Sequence, residues 1–302
     1  MSLSVGIVGL PNSGKSTLFN ALLAKQLAQV ANFPFTTIEP NVGIVPVPDE
    51  RLKKLSDLIN PQLTTPASVE FIDIAGLGKG AHQGEGLGNQ FLAKIREVSI
   101  IVHLVRAFSN PDVAHYYQNL DPVRDIEIVN LELELGGIKK PAIYVLNVSE
   151  DQLTDKSWPP KVKVGGEEID FLPICAKLES ELMDFSEEEK QQYLKELGIK
   201  ETGLDQLIKK AYQKLGLISF YTIKGGKEVR AWSLPAGKTG LEAAAEVHTE
   251  MAKGFIKAEV VSFEDLVAQA GWQKAAQAGK IRLEGKDYLV KDGEVIEFKF
   301  NL

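Results

Sequence analysis

The 302-residue chain has a single cysteine and no excess of positive charge. No apolar run approaches the ~18 residues a spanning helix needs. The lone thiol, Cys175 in the stretch FLPICA, cannot form an internal disulfide and reads as a buried free cysteine suited to a reducing compartment. With 34 Lys plus Arg against 41 Asp plus Glu, the net charge of −7 gives no global field to draw in nucleic acid or an anionic membrane. Such contacts would have to be local, and no strong DNA-binding signal is present. The opening MSLSVGIVGL lacks the basic start and long apolar region of a signal peptide, which sets the expectation of a soluble, cytoplasmic protein without a membrane partner. Long internal repeats and low-complexity tracts are also lacking. What is there, 44% hydrophobic and 25% charged residues, is a globular composition large enough for two cores.

LSVGIVGLPNSGKSTLFNALL predicts a short buried strand through Val8, a glycine-bearing loop, and a helix from near Lys15 with Leu18, Phe19 and Leu22 on its inner face. The loop fits G-x-x-x-x-G-K-[ST] at Gly9, Gly14, Lys15 and Ser16. Glycines at both ends let backbone N–H groups wrap phosphate oxygens, and the helix N-terminus adds a favourable dipole. On this reading Asn12, Ser13, Gly14, Lys15, Ser16 and Thr17 cradle a triphosphate. Lys15 neutralises its β and γ phosphates, Ser16 gives a hydroxyl to Mg²⁺, and Thr17 supports the phosphates nearby.

Two further segments fit a nucleotide-dependent switch. VANFPFTTIEPN places Thr36 and Thr37 where a hydroxyl can touch Mg²⁺ only while a γ-phosphate is present; a pair of threonines ahead of a β-like run is also ordinary strand chemistry. SVEFIDIAGLGKGAHQGEGLG predicts a strand ending in Asp73, positioned as a Mg²⁺-supporting carboxylate, followed at D-x-x-G spacing by Gly76, whose N–H can meet the γ-phosphate. Leu77 stands where many switch GTPases carry a water-orienting Gln, and an apolar side chain cannot hold water.

The segments GLPNSGKST, FPFTTIEPN, DIAGLGKGAHQGEGLGNQFLAKIRE, DPVRDIEIVNLELEL and RLEGKDYLVKDGEVIEF resemble the YchF, or Obg-like ATPase, family over nearly the whole chain. The resemblance implies an α/β fold: a Ras-like P-loop NTPase domain, with a mostly parallel sheet and helices on both faces, plus a small α+β β-grasp (TGS) domain. It implies ATP as substrate, slow intrinsic hydrolysis, and action on ribosome, translation or stress-response partners. Asn147 and Glu150 match the family's NxxE element, and Ala176, Lys177 and Leu178 would complete the base pocket. In relatives a His after the next strand is assigned to catalysis, which maps onto His115, acting with Lys15 and Gly76; His82 in the glycine-rich segment is a second candidate. His103, inside IIVHLV, is expected to pack in or beside the core. Asn12 brings the possibility of K⁺ stimulation. The family's long helical hairpin is reduced here to GGIKK within a truncated insertion near 123–140, which weakens the case for RNA or ribosome contact through that region.

The phrase NVSE, Asn147 to Glu150, also has a direct physical reading. An Asn carboxamide can donate to purine N7 and accept from the adenine 6-amino group. Adenine has no N–H at positions 1 and 2, so a short carboxylate aimed there would face an acceptor. The longer Glu150 need not point that way, and the expected preference is adenine. An Obg-type GTPase and a non-catalytic nucleotide-gated binding module remain as alternatives.

From about Gly216 the pattern changes to short strands and tight turns. FYTIKGGKEVRAWSL predicts a hairpin around Gly225 and Gly226, and YLVKDGEVIEF a second around Asp292 and Gly293. Thr239 and Glu242 form a capping-box pattern, and Trp232 and Phe255 read as core. The expected domains are therefore 1–215 for nucleotide binding and 216–302 for the TGS module, through which RNA or a ribosome would be met.

Overall fold

The computed structural model describes residues 3–30, 41–74 and 87–301. Thr36, Thr37, Gly76, Leu77 and His82 lie outside the described residues. The strands are β1 (Ser4–Val8), β2 (Val42–Pro46), β3 (Leu63–Thr65), β4 (Ser68–Asp73), β5 (Ile100–Arg106), β6 (Ala142–Asn147), β7 (Lys161–Val164), β8 (Glu167–Ile174), β9 (Leu217–Lys224), β10 (Glu228–Pro235), β11 (Phe255–Ser262), β12 (Arg282–Glu284) and β13 (Glu294–Phe300). The helices used below are α1 (Lys15–Val30), α2 (Glu50–Ile59), α3 (Leu87–Glu97), α4 (Pro122–Leu135), α5 (Glu150–Asp155), α6 (Ala176–Glu181), α7 (Glu187–Glu196), α8 (Gly203–Lys214) and α9 (Gly240–Val247). Two compact units form, one from Met1–Val45 with Val69–Lys214 and the other from Pro46–Ser68 with Leu215–Leu302.

The first unit holds a seven-stranded sheet in the order β2-β4-β1-β5-β6-β8-β7. Strand β1 pairs in parallel with both β4 and β5, β5 with β6, and β6 with β8, while β7 closes the edge antiparallel to β8. Every residue of β1 and β5 is buried, as expected of central strands covered on both faces. Leu18, Phe19 and Leu22 of α1 are buried as the spacing predicts. Helix α4 starts on the Asp121 side-chain cap with Pro122 in its first turn and ends at Gly136. Gly137 then adopts φ +68°, Ile138 turns into the core, and β6 begins at Ala142, so residues 136–141 complete the return without a helical hairpin.

The second unit is a six-stranded sheet, β12-β11-β13-β9-β10-β3. The first expected hairpin is present: β9 and β10 pair antiparallel across Gly225 and Gly226, both at positive φ. The second is not. Residues 288–290 hydrogen-bond instead to the loop ahead of α9, with the Gly240 N–H donating to the Tyr288 carbonyl and the Val290 N–H to that of Lys238. Strand β13 leaves its turn to pair antiparallel with β11 and parallel with β9. The turn at Asp292 and Gly293 itself forms, with the Glu294 N–H donating to the Lys291 carbonyl at 3.4 Å, and its residues also bind β9: the Asp292 carboxylate accepts from the Ser219 N–H, and the Gly293 N–H donates to the Ser219 carbonyl. The Thr239–Glu242 capping box forms in full, and Trp232 and Phe255 pack partly buried against the Phe220, Val260 and Ile296 core.

Pro46–Ser68 belongs with this unit by direct bonding. Strand β3 pairs in parallel with β10. Ahead of α2, the Asp49 carboxylate accepts from the Tyr221 hydroxyl, and Arg51 bridges Asp49 at 3.1 Å and Asp292 at 2.7 Å. A single cut between residues 215 and 216 therefore does not describe how this segment packs.

Candidate nucleotide site

Four segments that follow the carboxyl ends of parallel strands converge on one cavity of about 810 Å³, the position at which open α/β sheets take ligands. From β1 come Asn12, Gly14 and Lys15, with Ser16 and Thr17 opening α1; from β5 come Phe108, Ser109, Asn110 and Val113; from β6, Val148 to Asp151 follow Asn147; and from β8 come Cys175, Ala176 and Lys177. These bring together most of the residues singled out in the sequence. Four of the described site residues stand apart from the lining: Ser13, Asp73, His115 and Leu178.

At the phosphate end, the backbone conformation explains the glycines. Gly9 has φ +157°, and an added Cβ would meet the Leu104 carbonyl oxygen at 2.4 Å. Gly14 has φ +96°, and its Cβ would meet Nδ2 of Asn147 at 2.2 Å. Both positions need glycine because another backbone or base-end group occupies the space. The Lys15 ammonium is buried and donates to the Leu10 carbonyl at 2.9 Å. Burial lowers its pKa to about 8 against the opposing pull of Asp73. Burial also raises the Asp73 carboxyl, with Lys15 and Lys94 acting the other way, and its Oδ1 atom is buried without a protein partner. An orphaned carboxylate oxygen near the Lys15 amine, together with the exposed Ser16 that follows that lysine, is a donor set that suits hydrated Mg²⁺.

At the base end, Asn147 is buried and spends half of its carboxamide on the protein. Nδ2 donates to the Ser13 carbonyl at 2.9 Å, and Oδ1 accepts from the Ala176 N–H at 3.1 Å. One N–H and one lone pair remain. The two-handed adenine contact expected from the sequence thus competes with a bridge that ties the phosphate loop to α6. Ser13 contributes through its carbonyl, while Leu178 lies in an apolar cluster with Cys175, Leu182 and Leu194. Glu150, the last residue of NVSE, accepts from the Tyr193 hydroxyl of α7 at 2.7 Å. Glu179 on α6 is buried and accepts from the Gly203 N–H at 2.7 Å; burial pushes its carboxyl up to about 7, opposed by the hydrogen bonds of Gly203 and Leu204.

The histidines separate clearly. His103 on β5 is 1% exposed beside Tyr144, and burial lowers its pKa to about 3, so it sits neutral in the core as expected. In His115, Nε2 lies 2.8 Å from Oδ2 of Asp125, and Nδ1 accepts from the Tyr117 N–H at 3.1 Å, which leaves Nε2 as the donor of a neutral ring. With both nitrogens engaged and the side chain 6% exposed, the ring is not free to orient water in this conformation.

Sequence reading missed the wall formed by residues 108–113 and its anchor, Arg106. The guanidinium at the end of β5 donates to the carbonyls of Phe108 at 3.2 Å, Val113 at 2.8 Å, and Asn12 and Ala114 at 3.4 Å. Asn12 adds its own bond to Ala114 at 3.1 Å. An arginine ending an otherwise apolar strand was the available signal, since a buried cation must find acceptors.

Comparison with known proteins adds an independent line. A family profile described as a 50S ribosome-binding GTPase matches residues 4–148, and the YchF GTPase C-terminal profile, described as a protein of unknown function, matches residues 217–301. The ribosome-binding ATPase YchF of Bacillus subtilis is 44% identical over 368 aligned positions covering all of both chains. Its namesake from Escherichia coli O157:H7 is 41% identical over 365, again with both chains fully covered. The structure of the Schizosaccharomyces pombe YchF GTPase superposes with a TM-score of 0.84 at 30% identity, covering 99% of this chain and 98% of that one.

Proposed function

The chain belongs to the YchF family, and from that membership we propose that it is a cytoplasmic, Mg²⁺-dependent P-loop ATPase that binds ribosomes in a nucleotide-dependent manner. The observation that carries the adenine reading is Glu150, whose carboxylate is already engaged by the Tyr193 hydroxyl, with Asn147 keeping one N–H and one lone pair beyond its bonds to Ser13 and Ala176. Lys15 gives up its bond to the Leu10 carbonyl when a phosphate oxygen replaces that acceptor, and its lowered pKa returns upward as the anion arrives. Ser16 and Asp73 are the described residues that would hold Mg²⁺, directly and through water, with Thr36 or Thr37 completing the set; the ion would neutralise charge between the β and γ phosphates. Asn12 is the residue that would admit K⁺ beside the phosphates.

For hydrolysis, His115 is the water-orienting residue, with Lys15 and the Gly76 N–H stabilising the phosphate charge. His115 can serve only after Nε2 leaves Asp125. Slow intrinsic turnover follows, because that bond and the Tyr117 contact hold the ring in place. Ribosome binding rests on the names of the relatives, and the C-terminal unit is the surface proposed to meet RNA or protein there. Titration of purified protein with ATP and GTP in Mg²⁺ should give tighter ATP binding, and Lys15→Ala should abolish turnover. Tight GTP binding without ATP uptake would overturn the proposal.

A further inference from the structure

Glu150 stands at the place in NVSE where the GTPase pattern Asn-Lys-x-Asp carries its guanine-reading carboxylate, and it lines the cavity, so its environment bears on base choice. Guanine offers N–H groups at positions 1 and 2, which an acceptor there would engage; adenine offers a lone pair at N1 and no donor. A free carboxylate at this end would therefore favour guanine. Glu150 lines the cavity at the first turn of α5, whose start is fixed by the Ser149–Gln152 capping box. Its Oε1 accepts from the Tyr193 hydroxyl at 2.7 Å, and among the described residues no Lys or Arg pairs with it. Tyr193 of α7 is placed by its neighbours: its ring packs edge-on against Phe185, ahead of the helix, at 5.7 Å and adjoins the apolar cluster of Cys175, Leu178, Leu182 and Leu194. The hydroxyl thus comes from a helix that does not line the cavity, and it engages one oxygen of Glu150, which with Asp151 is one of two carboxylates in the lining and the one at the NxxE position.

We propose that Tyr193 is a specificity-positioning residue, which holds the Glu150 carboxylate on α7 and so suppresses guanine recognition at the site. This rests on the ATP-binding reading above and assigns the base choice to two side chains 43 positions apart. A hydrogen bond to a carboxylate constrains its direction as well as its charge. Removing the hydroxyl frees one acceptor oxygen to reach guanine N1–H and the 2-amino group, and brings negative charge nearer adenine N1.

The test is to titrate ATP and GTP against wild-type protein, Tyr193→Phe, Glu150→Ala and the double variant. Tyr193→Phe retains the ring and its packing. The ratio of GTP to ATP affinity is expected to rise about three- to tenfold in Tyr193→Phe, the worth of one hydrogen bond. In the Glu150→Ala background the same substitution should leave the ratio unchanged. A purely structural tie between α5 and α7 would lower the thermal midpoint and leave the ratio alone, which overturns the proposal. A shift that persists without Glu150 also overturns it. Equal ATP and GTP binding by the wild type would instead sink the ATP reading itself, and with it the role given to Tyr193.

Discussion

The two ends of the cavity are built on different principles. The phosphate end is a contiguous stretch, Gly9 to Thr17, with Gly9 and Gly14 in backbone conformations at positive φ and Lys15 as its buried charged side chain. The base end is assembled from residues far apart in the chain: Asn147 with Ala176, Glu150 with Tyr193, and Glu179 with Gly203. A contiguous loop fails when its local backbone is denied. An assembled pocket fails when any one of several supports is withdrawn, and it can fail selectively. Affinity for any triphosphate should therefore be governed by the first, and choice among bases by the second.

The largest expected effect comes at the place where the two ends touch. Gly14→Ala puts a methyl into Asn147 Nδ2 while also forbidding φ +96°, so it should reduce ATP and GTP affinity together, by about a hundredfold or more, measured by titration calorimetry. A loss confined to one base would break the division drawn above.

The second prediction isolates a support of the base end. Because burial raises the Glu179 carboxyl to about 7, above its value of roughly 4.3 in an unfolded chain, the folded protein holds that proton more tightly. Its stabilising contribution is complete below pH ~4.3 and disappears as pH rises to about 7. Glu179→Gln cannot ionise, so its unfolding free energy relative to wild type should increase between pH 4.5 and 8 by up to roughly 3 kcal/mol, read from denaturant midpoints. A pH-independent difference would mean that Glu179 does not titrate in this range.

The third effect belongs to the phosphate end alone. With Lys15 at a pKa of about 8 in the free protein, only the protonated amine answers the phosphate charge. Affinity for ATP and GTP should be flat below pH 8 and fall about tenfold per unit above it, with their ratio constant. A ratio that changed with pH over this range would show the two ends to be coupled through this lysine.

The same contrast explains what could be read from the sequence. The phosphate loop, the buried face of α1, the Thr239–Glu242 cap and the Gly225–Gly226 hairpin are set by hydrogen bonds between near neighbours, and each appears where the local pattern places it. The turn at Asp292 and Gly293 forms as its local signal predicts, but the segment ahead of it bonds to the loop around Lys238 while β13 pairs with β11 and β9, contacts invisible to a local pattern. Asn147 was legible as a base-end residue, while its half-committed carboxamide was not, because the partners Ser13 and Ala176 are brought to it by two other strands, β1 and β8. Resemblance names Leu178 with Ala176 and Lys177 for its backbone; its side chain turns into the apolar cluster.

The excursion of Pro46–Ser68 sets a limit on how this molecule can be cut. Residues 215–302 expressed by themselves would present β10 with a bare edge in place of β3, and would leave the Tyr221 hydroxyl without the Asp49 carboxylate. An exposed strand edge invites pairing between chains. The smallest portable form of that half is therefore two pieces of polypeptide, and a graft or fragment that ignores the shorter one should be expected to aggregate.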